Sequence, residues 1–298
     1  MRKGHLFRSY ADQASKALIV SLGDRNETVR KTYAGAGGYL ARLMTHPALV
    51  TYVNSQVEKY FSEGNWCFAS KLTVDEQQMI MSGIAIEAIS RNASAAFTAS
   101  AVSILPFVFL AKHDPVEAIR EPFFETWAEN TGGSGAIKLY IREIMALVAG
   151  HLDSPQWRVK QVSALTLADA CEAIGKDIRD HLNVVMPLLM KGIGGRSWKG
   201  KEAVLKALLV VVKNAKDAFS AAELDEVSRV SICACPHVNS RSWSVKPSDE
   251  ISITSDIRRL RWQNTFRHSH RQIYSTPLRK LLTRESQRST TKITAICR

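Results

Sequence analysis

Asp153-Ser154-Pro155-Gln156-Trp157-Arg158 and Gly194-Gly195-Arg196-Ser197-Trp198-Lys199 decide how this chain folds. Each is a turn, then a tryptophan, then a base that opens an Ala/Leu-rich stretch, and the tryptophans lie 41 positions apart. An earlier copy runs Asp24-Arg25-Asn26-Glu27-Thr28-Val29-Arg30, and a degenerate one runs from Asp114-Pro115 to Ile119-Arg120. A unit of about 40 residues carrying two helices is the signature of a solenoid, in which hairpin stacks on hairpin because no unit buries its apolar face alone. Such stacks present long surfaces and bind other macromolecules.

Helical periodicity supports the reading. Ile137, Ile141, Ile144, Met145 and Val148 share one face, as do Leu182, Val185, Met186, Leu189 and Ile193. Val204, Leu205, Leu208, Leu209 and Val212 form another stripe, and Trp157, Ala164, Leu165, Ala168 and Cys171 a fourth. Five helix pairs follow: 8–22 with 27–44, 47–62 with 74–92, 94–112 with 116–129, 135–151 with 155–175, and 177–193 with 198–215. A further helix begins near Ala221. Breakers such as Gly23-Asp24, His46-Pro47, Asp114-Pro115, Thr131-Gly132-Gly133 and Gly194-Gly195 separate them. Pro106 and Pro187 fall inside first helices, 81 residues apart, and are expected to kink them at a repeated position.

The net charge of +12 is not spread evenly. Residues 1–230 hold 27 basic and 24 acidic residues; residues 231–298 hold 13 and 4. The repeat region, 1–230, is therefore nearly balanced. The segment 231–298 is a basic, Ser/Thr/Arg-rich tail with no helical pattern, expected to be disordered or to depart from the repeat frame. Five scattered cysteines do not make a disulfide framework. The longest apolar run, Val102–Ala111, is about half a membrane span and contains Pro106.

The turn strings resemble HEAT repeats: an aspartate or glycine turn, a base early in the second helix, a proline within the first. Val29-Arg30-Lys31-Thr32-Tyr33-Ala34 with Gly38-Tyr39-Leu40, Leu105-Pro106-Phe107-Val108-Phe109-Leu110-Ala111 with Asp114, Trp127 with Thr131-Gly132-Gly133, Trp157-Arg158 with Gln161, and Gly195-Arg196-Ser197-Trp198-Lys199-Gly200-Lys201-Glu202 narrow the likeness. Together, over about 24–230, they are similar to the large eukaryotic proteasome adaptor and scaffold proteins. The last string is the most specific. The resemblance implies an all-α, α-α superhelix of the HEAT/ARM type with an irregular C-terminal tail. It implies a late segment of a much longer, non-catalytic scaffold. Implied partners are the proteasome core and regulatory particles, and implied roles are assembly, quality control or localisation in cytoplasm and nucleus. Two other functional classes stay open: a HEAT scaffold of a transport or phosphatase system, and nucleic-acid binding through the basic tail, where Arg258-Arg259-Leu260-Arg261-Trp262 and Arg267-His268-Ser269-His270-Arg271 interleave bases with aromatic residues.

Chemical motifs compete poorly with structural readings. Gly195 to Lys201 matches the first seven positions of a phosphate-binding loop, but Glu202 stands where a magnesium-holding hydroxyl belongs, and a helix, not a strand, precedes it. Thr131-Gly132-Gly133-Ser134-Gly135 lacks a lysine for an anion. Cys233-Ala234-Cys235-Pro236-His237 supplies three potential zinc ligands where four are needed. His113 and His151 sit near turns without a nucleophile motif. No catalytic residue, cofactor or metal site is expected. Arg158, Arg196, Lys199 and Lys201 are the candidate protein-contact residues. With Arg30, the bases at second-helix starts have two readings: a basic ridge facing an acidic partner, or bonds to acidic groups and carbonyls of adjacent repeats.

Overall fold

The computed structural model describes residues 3–62, 74–194, 198 and 200–234. Among the described residues every regular element is helical. The helices are α1 Lys3–Ser21, α2 Glu27–Leu40, α3 His46–Phe61, α4 Val74–Asn92, α5 Ser94–Ala99, α6 Ala101–Ala111, α7 Glu117–Asn130, α8 Ser134–Leu139, α9 Ile141–His151, α10 Trp157–Ile174, α11 Leu182–Gly194, α12 Lys201–Ala215 and α13 Ala221–Ala234. Short 3-10 helices occupy Gly175–His181 and Lys216–Ala218.

Local chemistry sets the ends. Asn26 caps α2, its side chain accepting from the Thr28 N–H at 2.9 Å. Pro47 lies in the first turn of α3, where its missing N–H removes no helical bond. Ser220 and Glu223 open α13 as a capping box: Glu223 accepts from the Ser220 N–H at 2.7 Å, and Ser220 Oγ accepts from the Glu223 N–H at 3.3 Å.

The helices pair as hairpins: α1 with α2, α3 with α4, α6 with α7, α9 with α10, α11 with α12. In one layer α1, α3, α6, α9, α11 and α13 pack in succession. In the other, α2, α4 and α7 pack in succession, and α10 packs on α12. This is the all-α superhelical solenoid the repeats imply. The second layer is interrupted once. α7 and α10 make at most a fringe contact, and α10 packs diagonally on α6 and α8 instead.

The core runs through the stack. Helix α6 is its middle: every residue from Ile104 to Ala111 is buried, as expected of a helix apolar on all sides. Tyr60 of α3, Phe107 of α6 and Phe123 of α7 meet edge to face with centroids 5.3–5.7 Å apart, a geometry that adds to their area burial. Where second-layer helices do pack, glycine lets them close. A Cβ on Gly38 of α2 would stand 2.3 Å from the Ala88 carbonyl oxygen of α4. Gly200 has φ +100°, and its Cβ would stand 2.7 Å from the Gln161 side chain of α10, so it meets both a backbone and a packing demand.

Three first-layer helices differ from their expected form. The spans 94–112 and 135–151 read as unbroken, yet they divide at Ser100 (φ −110°, ψ 11°) and Tyr140 (φ −105°, ψ 14°), 40 residues apart. The next, 177–193, is a 3-10 segment followed by α11. Apolar periodicity continues across the bends at Ser100 and Tyr140, because a bend in the bridge region changes axis direction without expelling side chains from the core. The prolines keep register with this pattern: Pro106 and Pro187 are each the sixth residue of their helices, α6 and α11. Pro122 lies inside α7 as well.

The tryptophan alignment needs correcting. Trp157 is the first residue of α10, whereas Trp198 precedes α12 by three residues. The tryptophans mark the period but do not occupy equivalent positions.

Candidate protein-contact site

The turns before second helices share a construction that the helix starts reveal. Three residues before α2, α7 and α10 stand Asp24, Asp114 and Ser154. Each accepts from the backbone N–H two residues on: Asp24 from Asn26 at 2.7 Å, Asp114 from Val116 at 2.9 Å, Ser154 from Gln156 at 3.2 Å. These short side chains tie the turn to itself. Ser154 is thus the counterpart of the two aspartates, and Asp153 is not.

Three residues into α2 and α7 stand Arg30 and Arg120. Both guanidiniums fold back on their own turn. Arg30 donates to the carbonyls of Asp24 and Arg25 at 2.7 and 3.1 Å and to Gln77 Oε1 at 3.1 Å, and Arg120 donates to the Asp114 carbonyl at 2.9 Å. The equivalent position in α10 is Lys160, whose ammonium lies 5.5 Å from the Trp198 ring.

Arg158 sits two residues earlier and does something different. It is 1% exposed and donates to the carboxylate of Asp114, one repeat back, itself 0% exposed. Tyr60 Oη donates to the same oxygen at 2.7 Å, and the Arg158 guanidinium lies 4.7 Å from the Tyr60 ring. Residues from three successive repeats therefore converge on one buried carboxylate. Burial works against the charge on Arg158 and pushes the Tyr60 phenol upward. A second tie lies alongside. Asp169 of α10 accepts from Lys112 Nζ at 2.9 Å and meets His113 Nε2 at 3.0 Å, while His113 Nδ1 faces the Phe109 carbonyl at 2.8 Å. The His113 hydrogen bond, aided by Lys112, holds the Asp169 carboxyl well below the usual carboxylate range.

Lys201 opens α12 and is 3% exposed. It is packed against the stack, not poised in an open phosphate cradle, and α11 rather than a strand precedes its loop. Arg196 and Lys199 lie outside the described residues, as do Cys235, His237 and the rest of the tail from 235 onward. His151 stacks on Phe61 at 3.9 Å and holds the Leu147 carbonyl at 2.9 Å. Cys171 is buried, and burial pushes its thiol up to about 12, far from the thiolate a nucleophile needs. Among the described residues no His/Cys/Asp/Glu group could hold a metal, and no helix is long and apolar enough to cross a membrane.

Sequence reasoning missed Asp114, Tyr60, Lys112 and Asp169 as a set. One signal was available: Asp114 and Arg158 are 44 positions apart, about one repeat. Nothing in the sequence marks Tyr60.

Comparison with known proteins bears on this arrangement. A family model for the HEAT-repeat domain of the proteasome adapter and scaffold protein ECM29 matches residues 1–61. The human proteasome adapter and scaffold protein ECM29 is 29% identical over 212 residues, 68% of this chain and 11% of that protein. Proteasome component ECM29 of Saccharomyces cerevisiae is 25% identical over 204 residues, covering 68% and 10%. The Schizosaccharomyces pombe protein of that name is 26% identical over 232 residues, covering 78% and 13%. The chain thus spans about a tenth of the length of these curated relatives. Its resemblance to a segment of the proteasome adaptor and scaffold proteins holds over more than two thirds of its own residues.

Proposed function

We propose that this chain is a non-catalytic scaffold segment that binds the proteasome, through both core and regulatory particles, in cytoplasm and nucleus. The observation that carries the reading is the likeness over more than 200 residues to relatives from human and two yeasts that are named for the proteasome. A match of that extent spans several hairpins, more than the shared pattern of one repeat accounts for. Support for assembly, quality control or localisation as the specific role comes from the resemblance alone.

The binding mode in this reading is passive. A stacked helical surface holds partners over a broad interface and carries out no reaction. Arg158 and Lys201 act from inside the stack, by fixing how repeats sit on one another, and Arg196 and Lys199, which fall between α11 and α12 in the sequence, supply the charge for the partner. The experiment is capture of purified proteasomes by the immobilised full chain. Retention of core or regulatory particles, reduced by Arg196→Glu with Lys199→Glu, is the expected result. Retention of transport factors or a phosphatase instead, with no proteasome subunit, overturns it.

A further inference from the structure

Helix α12 is the last second-layer helix among the described residues, yet it is buried as though another followed. Three of its four sides are accounted for. Asn214 donates to the Cys171 carbonyl of α10 at 2.9 Å, which marks the side toward the preceding repeat. A Cβ on Gly192 of α11 would lie 3.4 Å from the Val204 side chain, which marks the side toward the first layer. Lys206 and Lys213 are exposed and mark the solvent side. At roughly 100° per residue, Leu205 and Val212 stand opposite Asn214, on the fourth side. Leu205 is 2% exposed and Val212 0%. No described helix packs there: α13 packs on α11 and makes at most a fringe contact with α12.

The other end of the stack shows what an uncovered flank looks like. Helix α2 is the first of the second layer, and Gly38 marks its side toward α4. Val29, Ala36 and Leu40 lie on the reverse side, and none of the three is buried. Burial of Leu205 and Val212 therefore needs a cover. Residues 63–73 join α3 to α4 at the far end of the stack. The turn before α12 is roughly 17 Å from Val212, eleven residues into the helix at about 1.5 Å each. The cover belongs to the residues after Ala234. Among these, Ile253, Ile257 and Leu260 recur at i, i+4 and i+7, the spacing of one helix face, with Arg258, Arg259 and Arg261 off that face. The other apolar run, Ile273 to Leu282, is broken by Pro277.

We propose that residues 253–260 cap the α12 end of the solenoid, with Ile253, Ile257 and Leu260 seated on Leu205 and Val212. A stack of this kind needs an end unit that is apolar inside and polar outside, and the three arginines supply the outer side. The basic composition of 231–298 then serves the fold, with no nucleic acid required. The reach is sufficient. Ile253 follows Ala234, the last residue of α13, by 19 positions, a span of up to about 60 Å at roughly 3.3 Å per residue. One helix-to-helix step is roughly 8–10 Å.

Hydrogen exchange on the full chain tests the cap. Ile257→Asp with Leu260→Asp is expected to speed exchange of the α12 amides on the order of tenfold, while those of α4 and α6 keep their wild-type rates, since a solenoid opens from its ends. Arg258→Ala with Arg259→Ala, off the apolar face, should leave α12 at the wild-type rate. Unchanged α12 exchange in the aspartate variant overturns the proposal. So does equal acceleration by the alanine variant, or acceleration spread evenly over α4, α6 and α12. Protection of α12 that grows with chain concentration also overturns it, since a second copy would then be the cover.

Discussion

The junction between α2 and α4 and the junction between α7 and α10 hold adjacent repeats by different physics. At the first, glycine removes the side chain that would keep two helices apart, and Gly38 brings α2 onto the Ala88 carbonyl of α4. Single polar contacts accompany this packing: Arg30 of α2 donates to Gln77 of α4 at 3.1 Å, and Asn214 of α12 donates to the Cys171 carbonyl of α10 at 2.9 Å. Apolar contact of this kind is non-directional but close-packed, with no room for an added methyl. At the second, the outer helices do not close. The repeats are held instead from within, by Arg158 and Tyr60 on the Asp114 carboxylate and by Lys112 and His113 on Asp169. A buried polar tie is directional, and its loss strands a charge. One solenoid therefore has joints closed mainly by close packing and a joint tied by buried charge.

The largest effect should come from breaking the tie. Asp114→Ala leaves the buried Arg158 without its carboxylate and is expected to cost about 3–5 kcal/mol in chemical unfolding. Arg158→Met with Asp114→Leu should recover much of that loss, since replacing both charges removes the stranded one. A loss below about 1 kcal/mol for Asp114→Ala would show that the joint is held by apolar contact like the others. Next in size is overfilling a close-packed joint. Gly38→Ala drives a methyl into the Ala88 carbonyl and should cost about 1–3 kcal/mol, whereas Gly132→Ala, which has nothing within 4 Å, should leave thermal unfolding unchanged.

The pH response sharpens the contrast further. Asp169 has its carboxyl lowered in the folded state, so its contribution is present above the ordinary carboxylate range near pH 4 and is lost as pH falls toward the lowered value. Asp169→Asn should flatten that acid limb, with a stability loss at neutral pH of about 0.5–1 kcal/mol, since the carboxylate is partly solvated. An acid limb identical to wild type would remove Asp169 from the joint. The smallest effect is expected from Asp153→Ala. Its pair with Lys191, at 2.6 Å, is exposed, so the unfolding midpoint should not move measurably. Asp114 and Asp153 both read as turn aspartates, and the difference between their variants is the most direct measure of what burial adds.

That pair also shows where sequence reading stops. The register of the turns emerged only from helix starts, which put Ser154, not Asp153, beside Asp24 and Asp114. The same shift separates Arg158 from Arg30 and Arg120. A base two positions earlier on α10 swings into the stack rather than back to its turn. Residue types in a string cannot report this, because 3.6-residue geometry turns a two-position offset into a different face. The bends at Ser100 and Tyr140 were equally hidden, since the apolar stripe runs through them.

The sequence alone determined the repeat length, the all-helical class, the pairing of helices, the boundary in charge near residue 230 and the likeness to a proteasome scaffold segment. These rest on periodicity and local composition, which act within a turn or a hairpin. Tertiary structure alone decided which joints close by packing and which is tied by buried charge, where the second layer opens, and which bases face inward. Those depend on side chains about 40 or more residues apart meeting in space, and burial there is a property of the stack rather than of any one string.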